Sequence, residues 1–331
     1  LKYSELARNI YQRYTDQVEP YGMDECWLDV TGSRGVCGDG MKIAESIRQE
    51  TKEELGLTVS IGVSYNKIFA KLGSDMKKPD AVTEISKDTF QEKVWPLPAS
   101  DLLFVGRATT AKFSNYGIKT IGDIAATDPA FLKRLLGVNG LQLWKYAAGK
   151  DDTPVMHKDF VSPIKSVGHG ITCVADLLDD EDVWKVMLEL SQDIGHRLRL
   201  HKLKATGVQI SIRSNDLGYR QFQAPLSLST QSPMIIAKKA HAIFQANYRW
   251  STPVRAVTVR AINLVPQGVP EQIDLFTDMR RVEKAEKLDD CIEDIRRRFG
   301  KRAVFQACLL GDLKMPIDNR HLVQMPGVMG R

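Results

Sequence analysis

The chain has 331 residues, 43% apolar and 26% charged, and 46 Lys and Arg against 41 Asp and Glu give a formal net charge of +5. That length calls for two or three compact domains, and a charge excess this small favours a polyanionic partner only weakly, because placement matters more than the total. No apolar run approaches the ~18 residues of a membrane span, no signal peptide is visible, and Cys26, Cys37, Cys173, Cys291 and Cys308 form no Cys-x-x-Cys pair. A membrane protein, a disulfide framework and a cysteine metal cluster are therefore disfavoured, and a cytoplasmic location is expected.

Along the chain, Tyr3, Leu6, Ile10 and Tyr14 recur at helical spacing, predicting a helix over 3–15. A strand near Val18, a turn at Asp24-Glu25 and a strand over Cys26–Val30 follow, then loop chemistry at 31–35. Ile43, Ile47, Thr51 and Leu55 predict a helix over 40–55 stopped by Gly56, and Val59, Ile61 and Val63 alternate as a half-buried strand. The series reads as an α+β sheet with helices on one face. The chain begins at Leu1 directly in helical periodicity, which suggests that it lacks its natural start.

Trp95-Pro96-Leu97-Pro98 marks a boundary, after which residues 101–149 read as all-helical, broken at Gly117 and at Gly137-Val138-Asn139-Gly140. Residues 151–165 are polar, contain Pro154 and Pro163, and read as a linker. Beyond it come a strand near 165–172, a helix through Val183 and Leu198, strands over 206–213 and 219–226 around the Asn215–Gly218 turn, a helix over 233–248 and a strand over 254–264. This is a β-α-β-β-α-β unit. Val282, Ala285, Leu288, Ile292, Ile295 and Phe299 predict a last amphipathic helix ending at Gly300, followed by a loosely held tail.

The adjacent carboxylates Asp24 and Glu25 repel one another and suit a hard divalent cation, which prefers oxygen ligands; alone, the dipeptide reads more readily as a solvated acidic turn. Gly62–Lys71 runs from a strand into a helix, and Lys78, just before Pro79, is placed to meet a triphosphate or to lie in a solvated basic loop.

Three segments in order carry a resemblance: Asp24-Glu25 with Leu28-Asp29-Val30, then Gly-Val-Ser-x-Asn-Lys-x-x-Ala-Lys at 62–71, then Ser-Asp-Met-x-Lys-Pro at 74–79. Together they resemble the palm of Y-family translesion DNA polymerases, of the bacterial DNA polymerase IV type. The resemblance implies an α+β multidomain protein: a partial palm at 1–94, an all-α helix–hairpin–helix thumb at 95–152, a linker at 153–165, a β-α-β-β-α-β little finger at 166–265, a clamp-binding loop at 266–280, and a C-terminal helix and tail at 281–331.

It also implies roles. Asp24 and Glu25 would be catalytic ligands of two Mg²⁺ ions, and Lys78 would contact the incoming deoxynucleoside triphosphate. Lys67 and Lys71 would be backbone contacts or helix-surface charges. Gly106, Arg107 and Thr109, with Gly137 and Gly140, would hold DNA phosphate at helix N-termini, although the second glycine of the first hairpin is replaced by Arg107. A plain helix connection is an equal reading of the Gly137 segment. Arg213, Arg220, Arg255 and Arg260 would track primer–template DNA on a polar sheet face, which otherwise reads as solvated. Gln272, Leu275 and Phe276 resemble a sliding-clamp peptide, the other reading being that Leu275 and Phe276 pack on the protein's own core. His196 and His201 read as surface residues and Arg296–Arg298 as a solvated helix end. A monomer is expected, with no membrane contact.

The family's first palm strand, with a further metal-binding Asp in an Asp-x-Asp-x-Phe-Phe segment, and its fingers are not found in this sequence. The resemblance therefore suggests an N-terminally shortened polymerase, inactive as it stands. The rivals are a non-catalytic DNA- and clamp-binding relative and an unrelated helix–hairpin–helix repair protein.

Overall fold

The computed structural model describes residues 1–270, 279–301 and 303–316. They divide into two compact units, one ending at Ser162 and the other starting at Pro163.

The first unit opens with α1 (Lys2–Tyr11), shorter than its periodicity predicts. β1 (Val18–Tyr21) and β2 (Glu25–Leu28) form an antiparallel hairpin with Tyr21 opposite Glu25, and Gly22 takes the positive φ of 76° that the turn needs. The expected loop at 31–35 is instead a 3₁₀ turn (Thr31–Ser33) running into α2 (Arg34–Cys37). Asp29 accepts the Thr31 N–H at 2.9 Å, and the Ser33 hydroxyl donates to the Tyr14 carbonyl, which together close that turn.

α3 (Gly40–Leu55) starts at the Asp39 cap, which accepts the Lys42 N–H, and stops at Gly56 in the left-handed region. β3 (Ile61–Ser64), α4 (Lys67–Met76) and β4 (Val82–Ile85) make a parallel crossover, with Ile61 beside Val82. A Cβ on Gly62 would sit 1.9 Å from the Ala70 carbonyl, so this glycine is what lets α4 lie directly on β3. Among the described residues the predicted single sheet is two separate two-stranded ladders. Both β2 and β3 line a cleft of about 910 Å³, and no ladder joins them across it.

Further helices follow: α5 (Phe90–Val94), α6 (Arg107–Ser114), α7 (Ile121–Ala126), α8 (Pro129–Leu136) and α9 (Val138–Ala147). One apolar core runs from Phe69 and Leu72 on α4 through Ile85 and Val94 to Phe113, Leu132 and Leu143. Two indoles fix it by donating to main-chain carbonyls, Trp95 to Ala147 and Trp144 to Ala125, each at 3.1 Å.

The second unit consists of β5 (Ser166–Leu177), α10 (Asp180–Leu200), β6 (Leu203–Ser214), β7 (Tyr219–Thr230), α11 (Pro233–Asn247) and β8 (Val254–Pro266). The strands form one antiparallel sheet in the order β5-β8-β6-β7. Val208, Ile210 and Ile212 of β6 and Val257, Val259 and Ala261 of β8 are buried with Met187, Ile194 and Phe244 of the two helices, so α10 and α11 cover one face.

α12 (Met279–Phe299) has no fully buried side chain among those described. It is tied to the unit by polar contacts instead: the ion pairs Lys204–Glu286 at 3.1 Å and Arg199–Asp290 at 3.2 Å, and the contact of His196 with Glu293. The following stretch is less loose than predicted. Leu309 is buried with Leu188 and Ala237 while Trp184 and Met234 pack around them, and the Val174 N–H donates to the Lys314 carbonyl at 2.8 Å. Arg296 likewise leaves solvent, donating to the Val304 carbonyl and to Gln192.

Candidate active site and nucleic-acid interface

Asp24 and Glu25 end the β1–β2 turn and line the cleft together with Lys71 and Lys78. Asp24 is exposed and makes no hydrogen bond or ion pair among the described residues. Glu25 Oε1 lies 3.1 Å from the Lys71 ammonium, whose side chain is only 16% exposed. Lys71 also reaches Asp75 Oδ2 at 2.6 Å, and the opposite oxygen of Asp75 meets Lys78 at 2.7 Å. The result is a chain of alternating charge, Glu25–Lys71–Asp75–Lys78.

Burial pulls the Lys71 ammonium down, but its bonds to Asp75 and Glu25 outweigh that and hold it above the ordinary lysine range. Burial likewise pushes the Asp75 carboxyl up, and the two lysines overcome it, leaving Asp75 below the usual carboxylate range.

No group of three or more His, Cys, Asp or Glu side chains among the described residues could cage a metal. Two adjacent carboxylates in one cleft fit a different cation, one that takes one or two protein oxygens and fills its remaining positions with phosphate and water. The donor set therefore fits a hard divalent cation that takes few protein oxygens, and Lys78, 58% exposed and paired with Asp75, lines the same cleft.

Lys67 departs from both sequence readings. It is buried at the start of α4, 2.5 Å from Glu19 of β1, and stands over the Trp27 ring. Glu19 also accepts the Met156 N–H at 2.8 Å, and Trp27 donates to the Lys67 carbonyl at 2.9 Å. This lysine fixes the hairpin to α4, with its ammonium held by Glu19 rather than open to solvent. Lys71 is not a helix-surface charge either, since it faces Glu25.

In the helical half, Gly106 is the exposed N-cap of α6, with no side chain capping it. The first N–H groups of a helix have no partner within it, so Arg107, Ala108 and Thr109 leave donors open beside the exposed Arg107 side chain. The second candidate is less open. Gly137 donates to the Lys133 carbonyl, and Gly140 is buried and donates to Gly137. A Cβ on Gly140 would meet the Leu132 carbonyl at 2.0 Å, so this glycine serves α8–α9 packing.

On the sheet face away from α10 and α11, register aligns Gly168, Arg260, Gln209 and Gln223 in one row. Gly170, Thr258, Ser211 and Gln221 form the next, and Thr172, Ala256, Arg213 and Tyr219 a third. The face is polar, carries no carboxylate in these rows, and holds Arg213 and Arg260 as its cations. A Cβ on Gly168 would lie 3.2 Å from Arg260 Cγ and one on Gly170 2.1 Å from Thr258 Oγ1, so both glycines make room for side chains crossing β5.

Arg220 does not join them. It pairs with Ile212 and falls on the same face as Phe222, and the alternation of 219–224 already carried that signal. Arg255 is exposed at a bulge, since pairing jumps from Ala256 opposite Arg213 to Val254 opposite Ser214. Gln272, Leu275 and Phe276 lie outside the described residues. His196 and His201 are exposed, as expected. Sequence reasoning missed Asp75 as the partner of the cleft lysines Lys71 and Lys78; its i,i+4 spacing from Lys71 was the available signal.

The impB/mucB/samB family matches residues 1–75, and that family's C-terminal domain matches residues 164–275. DNA polymerase IV of Acetivibrio thermocellus is 49% identical over 311 residues, covering 94% of this chain and 78% of that protein. DNA polymerase IV of Clostridium acetobutylicum is 32% identical, covering 93% and 76%. The solved Y-family DNA polymerase chimera Dbh-Dpo4(243-245)-Dbh is similar in fold, with a TM-score of 0.68 at 21% identity over 80% of this chain and 76% of that one. With an identity of 49% spread over nearly its whole length, the chain belongs to the impB/mucB/samB family, the Y-family DNA-directed DNA polymerases of translesion synthesis.

Proposed function

We propose that the cleft is the nucleotidyl-transfer site, with Asp24 and Glu25 as ligands of Mg²⁺ and Lys78 as the triphosphate contact. The observation that carries this is the shared cleft: two carboxylates and an exposed lysine line one cavity, so cation and phosphate would meet there. Two bound Mg²⁺ ions would draw the attacking and leaving oxygens into line and offset the charge that develops on the phosphate. Asp24 and Glu25 would hold those ions, and Lys78, paired at the surface with Asp75, would be the side chain that meets a phosphate oxygen. Residues 1–94 and 95–152 then act as palm and thumb, and 166–265 as the little finger.

Primer–template DNA would lie against the α6 N-terminus at Gly106, Arg107 and Thr109, and against the sheet face carrying Arg213 and Arg260. Both present donors and cations, as phosphate binding requires. Gly137 and Gly140 would contribute by shaping the α8–α9 connection rather than through their own N–H groups. The sliding clamp would bind Gln272, Leu275 and Phe276, two apolar anchors following a polar residue. The protein would act as a monomer in the cytoplasm, a compartment in keeping with five free cysteines.

The direct test is primer extension by the full-length protein carrying Asp24→Asn or Glu25→Gln. Activity should fall more than about a hundredfold, beyond the loss typical of an outer-shell partner, while affinity for primer–template holds. Retained extension would remove both residues from the reaction. For the clamp, replacing Leu275 and Phe276 by Ala should abolish binding to the clamp without changing DNA affinity, and unchanged clamp affinity would exclude this peptide.

A further inference from the structure

We infer that Lys71 is an internal competitor for the cation at Glu25, and that Asp75 sets how strongly it competes. This rests on the metal reading of Asp24 and Glu25 given above.

Lys71 emerges from α4 with a side chain only 16% exposed and has two carboxylates within reach, Glu25 Oε1 at 3.1 Å and Asp75 Oδ2 at 2.6 Å. Its ammonium therefore holds one of the two Glu25 oxygens and sets a positive charge beside any cation bound at that carboxylate. An ammonium and a metal ion cannot both sit against one carboxylate oxygen without repelling each other. Cation binding is then favoured when Lys71 gives up Glu25. It has somewhere to go, because Asp75, one helical turn further along α4, already holds it more closely.

Asp75 is itself shared. Lys78 meets its other oxygen at 2.7 Å, and both of those side chains are about half exposed, so that pair is a weak one. A phosphate that draws Lys78 away leaves Asp75 compensated by Lys71 alone. Lys71 is then held more firmly by Asp75 and less by Glu25. The relay links occupancy of the phosphate side of the cleft to release of a carboxylate on the cation side. Lys71 in this role is a positioning residue, acting through Glu25 and Asp75 without touching substrate.

The test is cation affinity in the 331-residue chain, read by Tb³⁺ luminescence, a hard cation that takes carboxylate oxygens. Tyr21 lies opposite Glu25 in the hairpin, and its ring is 4.6 Å from that of Trp27, which gives a local sensitiser. Lys71→Met should bind Tb³⁺ about fivefold more tightly, the scale of losing one partly buried ion contact, with Lys71→Gln as a second, polar replacement. Asp75→Asn should bind it more weakly, because Lys71 is then left to Glu25. In a Lys71→Met background Asp75→Asn should have little further effect, since Asp75 acts through Lys71. Unaltered far-ultraviolet circular dichroism confirms that each variant is folded.

If Lys71→Met and Lys71→Gln leave the affinity unchanged or weaken it, Lys71 is no competitor and the inference falls, while the metal reading stands. An equal Asp75→Asn effect with and without Lys71 overturns the role of Asp75. If Asp24→Asn and Glu25→Gln leave Tb³⁺ binding untouched, the metal reading itself fails, and the inference with it.

Discussion

Lys67 and Glu19 form an ion pair in which both side chains are about nine-tenths buried, joining the first turn of α4 to β1 across 48 residues of sequence. The pair ties the hairpin that carries Asp24 and Glu25 to α4, so one side of the cleft is fixed by a charge bridge.

Breaking that bridge from one side should be severe. Lys67→Met leaves a buried carboxylate without its counter-ion, which costs about 3–5 kcal/mol. Adding Glu19→Leu removes the stranded charge and should recover part of the loss, short of the Met156 N–H left unpaired. Urea unfolding midpoints measure both. A neutral Lys67→Met would show that the pair is not structural.

Acid should act through Asp123. Its carboxylate accepts the Lys119 and Thr120 N–H groups at 2.9 and 2.8 Å, and these bonds hold it below the ordinary aspartate range. A carboxyl depressed in the folded state contributes its stability fully above the unfolded value of about 3.9 and loses it as pH falls through the folded value. The Tm of Asp123→Ala should therefore lie below that of the parent at pH 7, and the gap should close below about pH 4. A gap that stays constant from pH 7 down to pH 3 would mean that the cap is not electrostatic.

DNA affinity should separate the two faces of the second unit. Arg260→Ala or Arg213→Ala should each reduce the salt slope of primer–template binding by about one, the signature of one lost phosphate contact. Arg220→Ala, on the opposite face, should leave the slope unchanged. Fluorescence anisotropy across a salt series reads all three. An Arg220 effect equal to that of Arg260 would contradict the assignment of the binding face.

The legible parts of the site were those whose chemistry is local in sequence. Asp24-Glu25 are adjacent, Lys78 precedes Pro79 within a short motif, and the strand alternation around Val208 and Val257 placed the sheet's inner face correctly. Lys67 was misread because its partner is Glu19, and nothing in the Asn66-Lys67 neighbourhood points to it. Gly140 looked like one of two equivalent hairpin glycines until the Leu132 carbonyl beneath it was seen to occupy the place of a Cβ. The short ladder of β3 with β4 and the parallel direction of that pair also lay beyond the reach of periodicity, since a four-residue strand carries too little pattern.

The sequence by itself determined the two-strand run around Asp24-Glu25, the β-α-β-β-α-β second unit and the family, because hydrophobic period, turn residues and short motifs are properties of neighbouring residues. Only the tertiary structure decided which lysine does what. It buried Lys67 against Glu19, set Lys71 between Glu25 and Asp75, and left Lys78 exposed. A charge acquires its role from the opposite charges brought within a few ångströms of it, and in this cleft folding brings Glu19 and Glu25 to α4 from distant sequence.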